Sequence, residues 1–564
     1  MDIYTTSSPS SSSQQEKKRK RDGVFGPMHL TIFLTCVWAT TILYGEMLSY
    51  WVPLSTCSWP HLSPSSSSSS DDHHFKIAVI ADPQIMDSTT HGFPRKSFIL
   101  ELLQFYTDLY MRRAFHSSIL PFKPDEILFL GDQFDGGPYL SDEEWQESMS
   151  RFKHIFGLNE QTRNSYIPIH YLSGNHDIGY SAYYTQHPEV ITRYEKEFGK
   201  RNYNFTVGKV EFIVIDAQTL DGPKEGRETS SSWDFIQNFS EANQNPRVLL
   251  THIPLYRPDN TPCGQHRSSP IINQRVYRSG FDQGITYQNY LSKESSELLL
   301  SKIKPVLVLS GHDHDQCTFI HSTSSGPVTE HTLGTVSWQQ GNLYPSFMLL
   351  SVLSGNASSV SNDDLNHSVS SQLCHLPFQT HIYIWYLCQA LVTIVVLTTW
   401  PTNGFSSSGY VGKFFEFIKN AWHNFTATVK EKNDEEDCEY EMVWDAEGTM
   451  HLIKKAASKV NSSNVDTRTV ASYWLSLPGS YGLYSYFSGR GNAVSRPTAR
   501  KHQQEVTVEM GNQTLLEDPK LPSGKSKVIR CIQRLVRVVK LVVVIAAVNV
   551  PLYMMLLFKD WIER

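Results

Sequence analysis

Seven polar side chains stand at the ends of six short apolar runs, and each of them can hold a hard metal ion. They are Asp82, Asp132, Asn175, Asp216, His252, His312 and His314. Each run has the length of a buried strand. In open α/β sheets ligands bind beyond the carboxyl ends of the strands, so these groups should converge on one edge of a sheet. The pattern therefore predicts a metal centre.

The ligand types narrow the choice of metal. Oxygen and imidazole ligands without thiolates suit a catalytic manganese, iron or zinc site better than a structural zinc site. Asp132 is the candidate to bridge two ions, because its Gly-Asp turn follows a strand directly. His312 and His314 lie on the same side of an extended segment, so each can reach a different ion. Two ions about 3.5–4 Å apart can clamp a phosphate and generate hydroxide near neutral pH.

Glycines precede three of these residues, Asp132, Asn175 and His312. A residue without a Cβ lets the backbone come close where a side chain would block the site. Asp216 has a simpler interpretation as a turn or helix cap, because Asp favours such positions. A lone His-x-His could be a loop pair without a metal. The ordered set D…GD…GNHD…H…GHxH is much more specific than such a pair.

The segments between the ligands alternate between strand and helix patterns. Residues 97–115 have apolar positions at helical spacing, and Ser141 with Glu144 forms a capping box that begins a helix through Phe156. A further helix should end at Gly199, and a hairpin should turn at Gly208. The alternation predicts an α/β fold, a layered sandwich of mixed sheets flanked by helices.

The motif set resembles the calcineurin-like metallophosphoesterases over about residues 75–347. The resemblance implies two divalent metal ions, with manganese favoured and zinc or iron as alternatives. One ion would be held by Asp82, Asp132 and His314, and the other by Asp132, Asn175, His252 and His312. His176 matches the family histidine that faces the phosphate and helps to protonate the leaving group. A general acid in such a place contributes roughly 10²–10⁴-fold to the rate.

The first motif departs from the usual Asp-x-His, because Gln84 stands where the family has histidine. A glutamine is a weaker ligand, so the first ion is expected to be held differently. The variant resembles the eukaryotic membrane-bound branch of the family, as does the sequence around His252. That branch contains the GPI-remodelling phosphodiesterase, which removes ethanolamine phosphate from a mannose. The resemblance implies GPI-anchored proteins or another lumenal phosphoester as substrate.

Composition and hydropathy place the protein at a membrane. The chain has 564 residues and a net charge of −6, with acids and bases nearly balanced, which argues against nucleic acid as the main partner. Three stretches are apolar and long enough to be candidate spans. The predicted organisation is a disordered cytosolic tail at 1–28, a transmembrane signal anchor at 29–48, a Ser-rich lumenal stalk at 49–74, the catalytic domain at 75–355, a linker at 356–380, a transmembrane helix at 381–400, a cytosolic region of unknown role at 401–537, a transmembrane helix at 538–558 and a lumenal C-terminus at 559–564.

Basic flanks set the expected orientation. Lys/Arg clusters at 17–21 and 525–540 precede the first and third spans, and such clusters favour the cytosol. Residues 47–381, with every ligand, are then lumenal in a secretory-pathway membrane (ER, ER exit sites or Golgi). N-glycan acceptor sequons in this segment agree with it, at Asn204, Asn238, Asn356 and Asn366. Three more sequons fall on the predicted cytosolic side, so sequons alone do not decide the orientation.

Three features beside the ligands carry further predictions. Cys263 and Cys317 both follow ligand motifs closely, so a disulfide between them could brace the metal edge, with two free buried thiols as the alternative. The insertion at 257–290 could form a substrate lip. Its arginines are expected either to hold phosphate and glycan hydroxyls or to be ordinary solvated charges; they include Arg257, Arg275 and Arg278. Asp135, Asp177 and Asp313 are candidates to orient the imidazoles.

Three functions remain open on the sequence. The favoured one is a lumenal binuclear phosphodiesterase acting on GPI anchors. The second is a lumenal phosphomonoesterase or protein phosphatase, because nothing in the ligand set separates monoesters from diesters. The third is a non-catalytic receptor for GPI-anchored cargo with a degenerate site, and Gln84 is the only feature that favours it.

Overall fold

A computed structural model of the chain describes residues 27–62, 74–158, 167–239, 245–264, 266–267, 269, 275–280, 283–354, 368–400, 440–444, 450–454 and 524–562. Most of the predicted cytosolic tail, the sequons at Asn356 and Asn366, and most of the region 401–537 lie outside these residues. The chain divides into two compact units. In the first, residues 440–444 and 450–454 pair as an antiparallel hairpin. Every other element below is in the second unit, apart from the first turns of the last helix.

The described strands form two large mixed sheets and two small hairpins. The strands are β1 His74–Ile80, β2 Glu126–Phe129, β3 Ile169–Tyr171, β4 Tyr203–Val207, β5 Val210–Ile215, β6 Arg247–Thr251, β7 Val276–Arg278, β8 Ile285–Gln288, β9 Leu307–Ser310, β10 Cys317–Thr323, β11 Gly326–Thr332, β12 Ser346–Leu353, β13 Val369–His375, β14 Tyr440–Trp444 and β15 Met450–Lys454. The first sheet has the order β13-β12-β1-β2-β3 and the second the order β10-β11-β9-β6-β5-β4. The strands β1, β2 and β3 are parallel, as are β5, β6 and β9.

Helices cover the outer faces of both sheets. The α-helices described are α1 Pro27–Glu46, α2 Val52–Thr56, α3 Phe98–Arg113, α4 Asp142–Ile155, α5 Asn175–Ile178, α6 Ser181–Tyr184, α7 Glu189–Phe198, α8 Ala217–Leu220, α9 Arg227–Gln237, α10 Lys293–Ile303, α11 Gln379–Thr399 and α12 Gly524–Trp561. Side chains of α3 and α4 share an apolar cluster with β1 and β2. Those of α9 and α10 share another with β5, β6 and β9.

The two sheets pack face to face. Val79 and Leu128 of the first sheet are buried in one apolar cluster with Phe212 and Leu250 of the second. Because both faces of these strands are covered, their sequences are continuous apolar runs; all six residues of β5 are buried. This arrangement of helix, sheet, sheet and helix confirms the predicted layered α/β fold.

The local predictions for helices and turns are confirmed. Ser141 and Glu144 form both bonds of a capping box at the start of α4. The helix α7 ends at Gly199, where φ is +90°, and Gly208 turns the β4–β5 hairpin. Ser97 caps α3 by accepting a hydrogen bond from the amide of Leu100 at 3.3 Å.

Two predicted connectors are wrong in part. The first residues of the predicted stalk at 49–74 are helical and packed, with Tyr50 only 1% exposed. A disulfide joins Cys57 to Cys374. The predicted linker at 356–380 contains β13, which pairs with β12 and extends the first sheet. Its sequence is rich in serine, and no local pattern in it predicts the strand that pairs with β12.

Within the described part of the chain, three helices are long and apolar enough to cross a membrane, at Pro27–Glu46, Gln379–Thr399 and Val528–Trp561. The last one begins before the predicted boundary of 538, because its basic first turns continue the same helix. The last turns of α1 and α12 meet the sandwich through Glu46 and Asp560, which both pair with Arg113. The first turn of α11 contacts Tyr50, a residue buried in the core of the first sheet, through Gln379. This is the arrangement expected if the three spans run in alternating directions.

Candidate metal centre

Both sheets contribute to one cluster at the carboxyl ends of their strands. Asp82 and Asp132 follow β1 and β2, and Asn175 begins the short α5 just after β3. From the second sheet, His252 follows β6, while His312 and His314 follow β9. The structure thus brings all six predicted ligands to the same edge of the sandwich.

The cluster divides into two groups that share one carboxylate. Ligand atoms of Asp132, His252 and His312 lie within 4.8 Å of one another, and so do those of Asp82, Asp132 and His314. Oδ1 of Asn175 is 3.2 Å from Nε2 of His252, which places it with the first group. These are the two groups that the family resemblance implies, and they support a binuclear divalent metal site with Asp132 as the shared ligand.

Hydrogen bonds to backbone carbonyls fix the orientation of two imidazoles. Nδ1 of His252 donates to the carbonyl of Leu130 at 2.8 Å, and Nε2 of His312 donates to that of Gln288 at 2.9 Å. Since a carbonyl only accepts, the other nitrogen of each ring is left to face the cluster. Partners of this kind hold metal-binding histidines in one tautomer and raise their basicity.

The protonation states suit cation binding. Burial lowers the pKa of His312 to about 3 and that of His314 to about 4, so both rings are neutral, the form that binds metals. Burial would also lower the pKa of His252, but Asp132 and Asp82 outweigh it and raise that pKa to about 9. A bound cation would compete with this proton.

The two carboxylates are fully buried and close to each other. Burial raises the pKa of Asp82 to about 7. Burial acts in the same direction on Asp132, yet His252 and His176 hold the pKa of that carboxyl well below its usual range. Buried carboxylates are normally paired with cations or coordinate metals. The donor set therefore fits hard or borderline divalent ions.

The backbone is held in an uncommon conformation at the ligands. Four of them have positive φ, 49° at Asp82, 52° at Asp132, 68° at His312 and 57° at His314. Residues other than glycine rarely adopt this region, and such residues concentrate at functional sites where the surrounding structure holds them. The turn after each of these strands therefore aims its ligand at the cluster.

The glycines before the ligands are needed for the close approach that the sequence predicts. A Cβ at Gly174 would lie 1.9 Å from Oδ1 of Asp132, and one at Gly131 would lie 2.5 Å from Nδ1 of His252. At Gly311 it would lie 2.9 Å from Oδ2 of Asp82. A side chain at any of these positions would displace a ligand.

His176 lies beside the cluster and reaches solvent. Its amide donates to Oδ1 of Asp132 at 2.8 Å, its Nδ1 donates to the carbonyl of Asp135, and its side chain is 38% exposed. Burial opposes protonation, but Asp132 and Asp135 outweigh burial and raise the pKa of His176 above its usual value. An accessible imidazole beside two metal-binding groups, with its pKa raised, can in its protonated form donate a proton to a departing oxygen.

Several known proteins resemble this chain. Residues 75–316 match the family model of the calcineurin-like phosphoesterases. The chain carries a calcineurin-like phosphoesterase domain. It is 28% identical over 343 residues to Cell division control protein 1 of Saccharomyces cerevisiae, covering 58% of this chain and 67% of that one. It is 26% identical over 388 residues to Metallophosphoesterase 1 of Rattus norvegicus, covering 65% and 88%. Among solved structures, purple acid phosphatase PPD1 of yellow lupin matches 50% of each chain, with 12% identity and a TM-score of 0.32.

The match supports a metal-dependent phosphoester hydrolase activity for this domain. Its one departure from the family pattern, Gln84, is built into the centre. Nε2 of Gln84 donates to Oδ2 of Asp132 at 3.0 Å, and the side chain is fully buried. Its Oε1 has no hydrogen-bond partner among the described residues. The glutamine therefore contacts the shared carboxylate directly.

Of the three acids expected to orient imidazoles in the phosphoesterase domain, Asp135 is hydrogen-bonded to one, the ring of His176, through its backbone carbonyl. Asp177 instead accepts hydrogen bonds from the amides of Gln133 and Gly174 at 2.9 and 2.8 Å, so it ties together the turns that carry Asp132 and Asn175. Asp313 instead pairs with an arginine that belongs to none of the sequence motifs.

That arginine is Arg267. Nη1 of Arg267 lies 2.8 Å from Oδ2 of Asp313, the residue between the two ligand histidines in the sequence. The side chain of Arg267 is 6% exposed. The nearby disulfide Cys263–Cys317, which confirms the sequence prediction, holds this segment at the metal edge. The closeness of Arg267 to Cys263 was the only sequence signal for it.

Two of the three arginines proposed for a substrate lip are engaged elsewhere. Arg257 is fully buried, with Nη2 3.2 Å from Oε1 of Glu330, so the expectation that it holds substrate is wrong. Arg278 donates to the carbonyl of Asp221 at 2.9 Å. Asp216, as expected, is not in the cluster; it begins α8 and its carboxylate pairs with Arg201.

Proposed function

We propose that this chain is a membrane-anchored, lumenal phosphodiesterase that uses two manganese ions to remove ethanolamine phosphate from a mannose of GPI anchors. The observation that carries the proposal is the pair of ligand groups sharing Asp132, with His176 exposed beside them. Gln84 in place of the usual histidine supports the membrane-bound branch, as do relatives named Metallophosphoesterase 1.

In the reaction, bound divalent ions would supply Lewis-acid stabilisation of the phosphoryl oxygens and lower the pKa of the attacking water. Asp82, Asp132 and His314 would hold one ion, and Asp132, Asn175, His252 and His312 the other. His176 donates its proton to the mannose oxygen as the bond from phosphorus breaks. Asp135 orients that imidazole through its carbonyl, and its carboxylate favours the protonated form of the ring.

Cysteine usage supports a lumenal site. The four cysteines of the sandwich and its N-terminal approach are all paired, as Cys57–Cys374 and Cys263–Cys317. Disulfides persist in the oxidising secretory pathway and are rare in the cytosol. The free cysteines among the described residues lie in the candidate spans, at Cys36, Cys388 and Cys531.

Two surface asparagines are consistent with a domain that faces the lumen. The acceptors of two sequons, Asn204 and Asn238, are exposed on the sandwich. They can carry N-glycans if the domain faces the lumen of the ER or Golgi. The basic flanks at 17–21 and 525–540 would then face the cytosol.

The test is hydrolysis by the full chain in detergent, stripped of metal and reloaded with Mn²⁺. An ethanolamine-phosphate mannoside, an aryl phosphodiester and an aryl phosphomonoester are compared, with His312→Ala as the blank. The proposal predicts preference for the mannoside, abolished in the variant. Preference for the monoester would make the protein a lumenal phosphatase instead. Absence of metal-dependent turnover would favour the receptor alternative.

A further inference from the structure

The helix α3 has one apolar face that is covered along only half of its length. At about 100° per residue, Phe98, Ile99, Leu102, Phe105 and Tyr106 fall within an arc of about 120°. The first three are 76%, 54% and 43% exposed, respectively. Three large apolar side chains on adjacent turns form an exposed patch of the kind that marks an interaction surface.

The other half of the same face contacts the ends of the candidate spans. The ring of Phe105 lies 5.0 Å from that of Trp561, and the ring of Tyr106 lies 6.3 Å from that of Tyr383. The hydroxyl of Tyr106 is 3.3 Å from that of Tyr553. Tyrosine and tryptophan at the ends of spans normally mark the boundary between membrane and water. The covered half of the face therefore lies at that boundary.

We infer that the exposed half of this face, Phe98, Ile99 and Leu102, inserts into the surface of the lipid bilayer. The covered half of the same helix face contacts the candidate spans. The bilayer around those spans therefore lies directly beside the exposed half. Burying these side chains among lipid is favourable because it removes their apolar area from water. Lys96, exposed just before the helix, is placed to meet lipid phosphates.

This surface adjoins the metal centre. The loop at 83–97 leads from Asp82 to the start of α3, and Nε2 of Gln104 on α3 donates to the carbonyl of Met86 in that loop at 3.0 Å. On the opposite side, Gln339 donates to the carbonyl of Gln84 at 2.7 Å. The ring of the preceding residue, Trp338, lies 5.7 Å from that of Tyr383. The metal edge therefore lies next to the bilayer surface.

The position of the metal edge beside the bilayer has a consequence for the substrate, and that consequence rests on the proposed function. A phosphoester carried on a membrane lipid can reach the metal edge while its lipid stays in the bilayer. Insertion of α3 into the lipid would hold the metal edge of the domain close to the bilayer surface. The inserted surface itself does not depend on which reaction the centre performs.

The test uses the photo-cross-linker p-benzoylphenylalanine in the full chain, reconstituted into phosphatidylcholine vesicles. It is placed at Leu102 or, as the matched control, at Leu298 on α10, which packs on the other sheet. The two leucines are 43% and 44% exposed. After illumination, lipid adducts are counted by mass spectrometry. We expect an adduct yield at position 102 at least about tenfold above that at 298, since only the first is inferred to lie among acyl chains.

Equal yields at the two positions would overturn the inference. A cross-link from position 102 to a peptide of 401–523 would also overturn it, because another segment would then cover the face. A double variant, Phe98→Ser with Leu102→Ser, gives a second readout. It should hydrolyse a soluble aryl phosphodiester at the normal rate but have a KM raised severalfold for a vesicle-embedded phosphodiester. If neither substrate is hydrolysed by the unsubstituted chain, the proposed function fails while the cross-linking result still decides the surface.

Discussion

Nε2 of Gln84 donates a hydrogen bond of 3.0 Å to Oδ2 of Asp132, the carboxylate that both ligand groups share. The residue that departs from the family pattern thus supports the central ligand. Removing such a partner typically lowers metal affinity or activity by about 10–100-fold. We expect Gln84→Ala to weaken metal binding within that range, measured by titration of the metal-free full chain with Mn²⁺.

The matched control is Gln133→Ala. Gln133 is an equally buried glutamine directly after Asp132, but its amide donates to the carbonyl of Leu172 at 3.0 Å and not to a ligand. Its loss should affect stability more than metal affinity. Equal weakening of metal binding in the two variants would contradict a specific role for Gln84.

Replacing His176 separates proton donation from metal binding. His176→Ala should lower kcat by roughly 10²–10⁴-fold on a mannoside, since the leaving alkoxide then lacks its acid. The loss should be much smaller on an aryl diester with an acidic leaving group. Metal content should stay normal. A similar loss on both substrates would mean that His176 acts by another route.

The two disulfides should both stabilise the domain. Cys57 and Cys374 are 317 residues apart in sequence, and Cys263 and Cys317 are 54 apart. Loss of a native disulfide typically costs about 2–5 kcal/mol. We expect each paired Cys→Ser variant to unfold at lower temperature in detergent. An unchanged midpoint for the Cys263→Ser, Cys317→Ser variant would show that this bond does not brace the metal edge.

Two histidines away from the metal centre should make stability fall in acid. Burial lowers the pKa of His331 to about 4, and burial with His266 lowers that of His375 to about 4. As pH falls from about 6.5 to 4, the unfolded chain takes up these protons and the folded chain does not, so folding weakens across that window. For His331 the effect is roughly 3 kcal/mol. His331→Gln should flatten the decline of the unfolding midpoint between pH 6.5 and 4; an unaltered slope would exclude this histidine as a cause.

A buried ion pair joins the sandwich to the first span. Nη1 of Arg113 is 2.6 Å from Oε2 of Glu46, and both side chains are 2% exposed. Arg113→Met leaves that carboxylate buried without its partner, at a cost of about 3–5 kcal/mol. Lys153→Met is the control, because Lys153 pairs with Glu197 near the surface, where such pairs contribute about 0–1 kcal/mol. Thermal unfolding in detergent measures both, and comparable losses would contradict the role of the buried pair.

The metal ligands could be predicted from the sequence better than the contacts that surround them. Asp82, Asp132 and His312 each belong to a short motif that includes the strand, the turn and the ligand, so their meeting place follows from the rules for parallel sheets. The turn glycines were predictable for the same reason. The contact between Gln84 and Asp132 was not, because it joins two loops 48 residues apart.

Features that depend on distant partners escaped prediction. The strand β13 exists because it pairs with β12, and Cys57 is fixed by Cys374 across most of the chain. Arg257 was expected either to hold substrate or to be a solvated loop charge, because its partner, Glu330, comes 73 residues later; that pairing buries both. Local composition does not contain such information, whereas a helix cap such as Ser141 with Glu144 is complete within four residues.

The most direct test of the shared-carboxylate centre is metal content measured together with hydrolysis in one variant, Asp132→Asn. The full chain, loaded with Mn²⁺ and freed of excess, should hold about two ions per molecule and hydrolyse the ethanolamine-phosphate mannoside. Asp132→Asn should lose both ions together with the activity, since its carboxylate belongs to both groups. A variant that keeps two ions and normal turnover would contradict a centre built on Asp132.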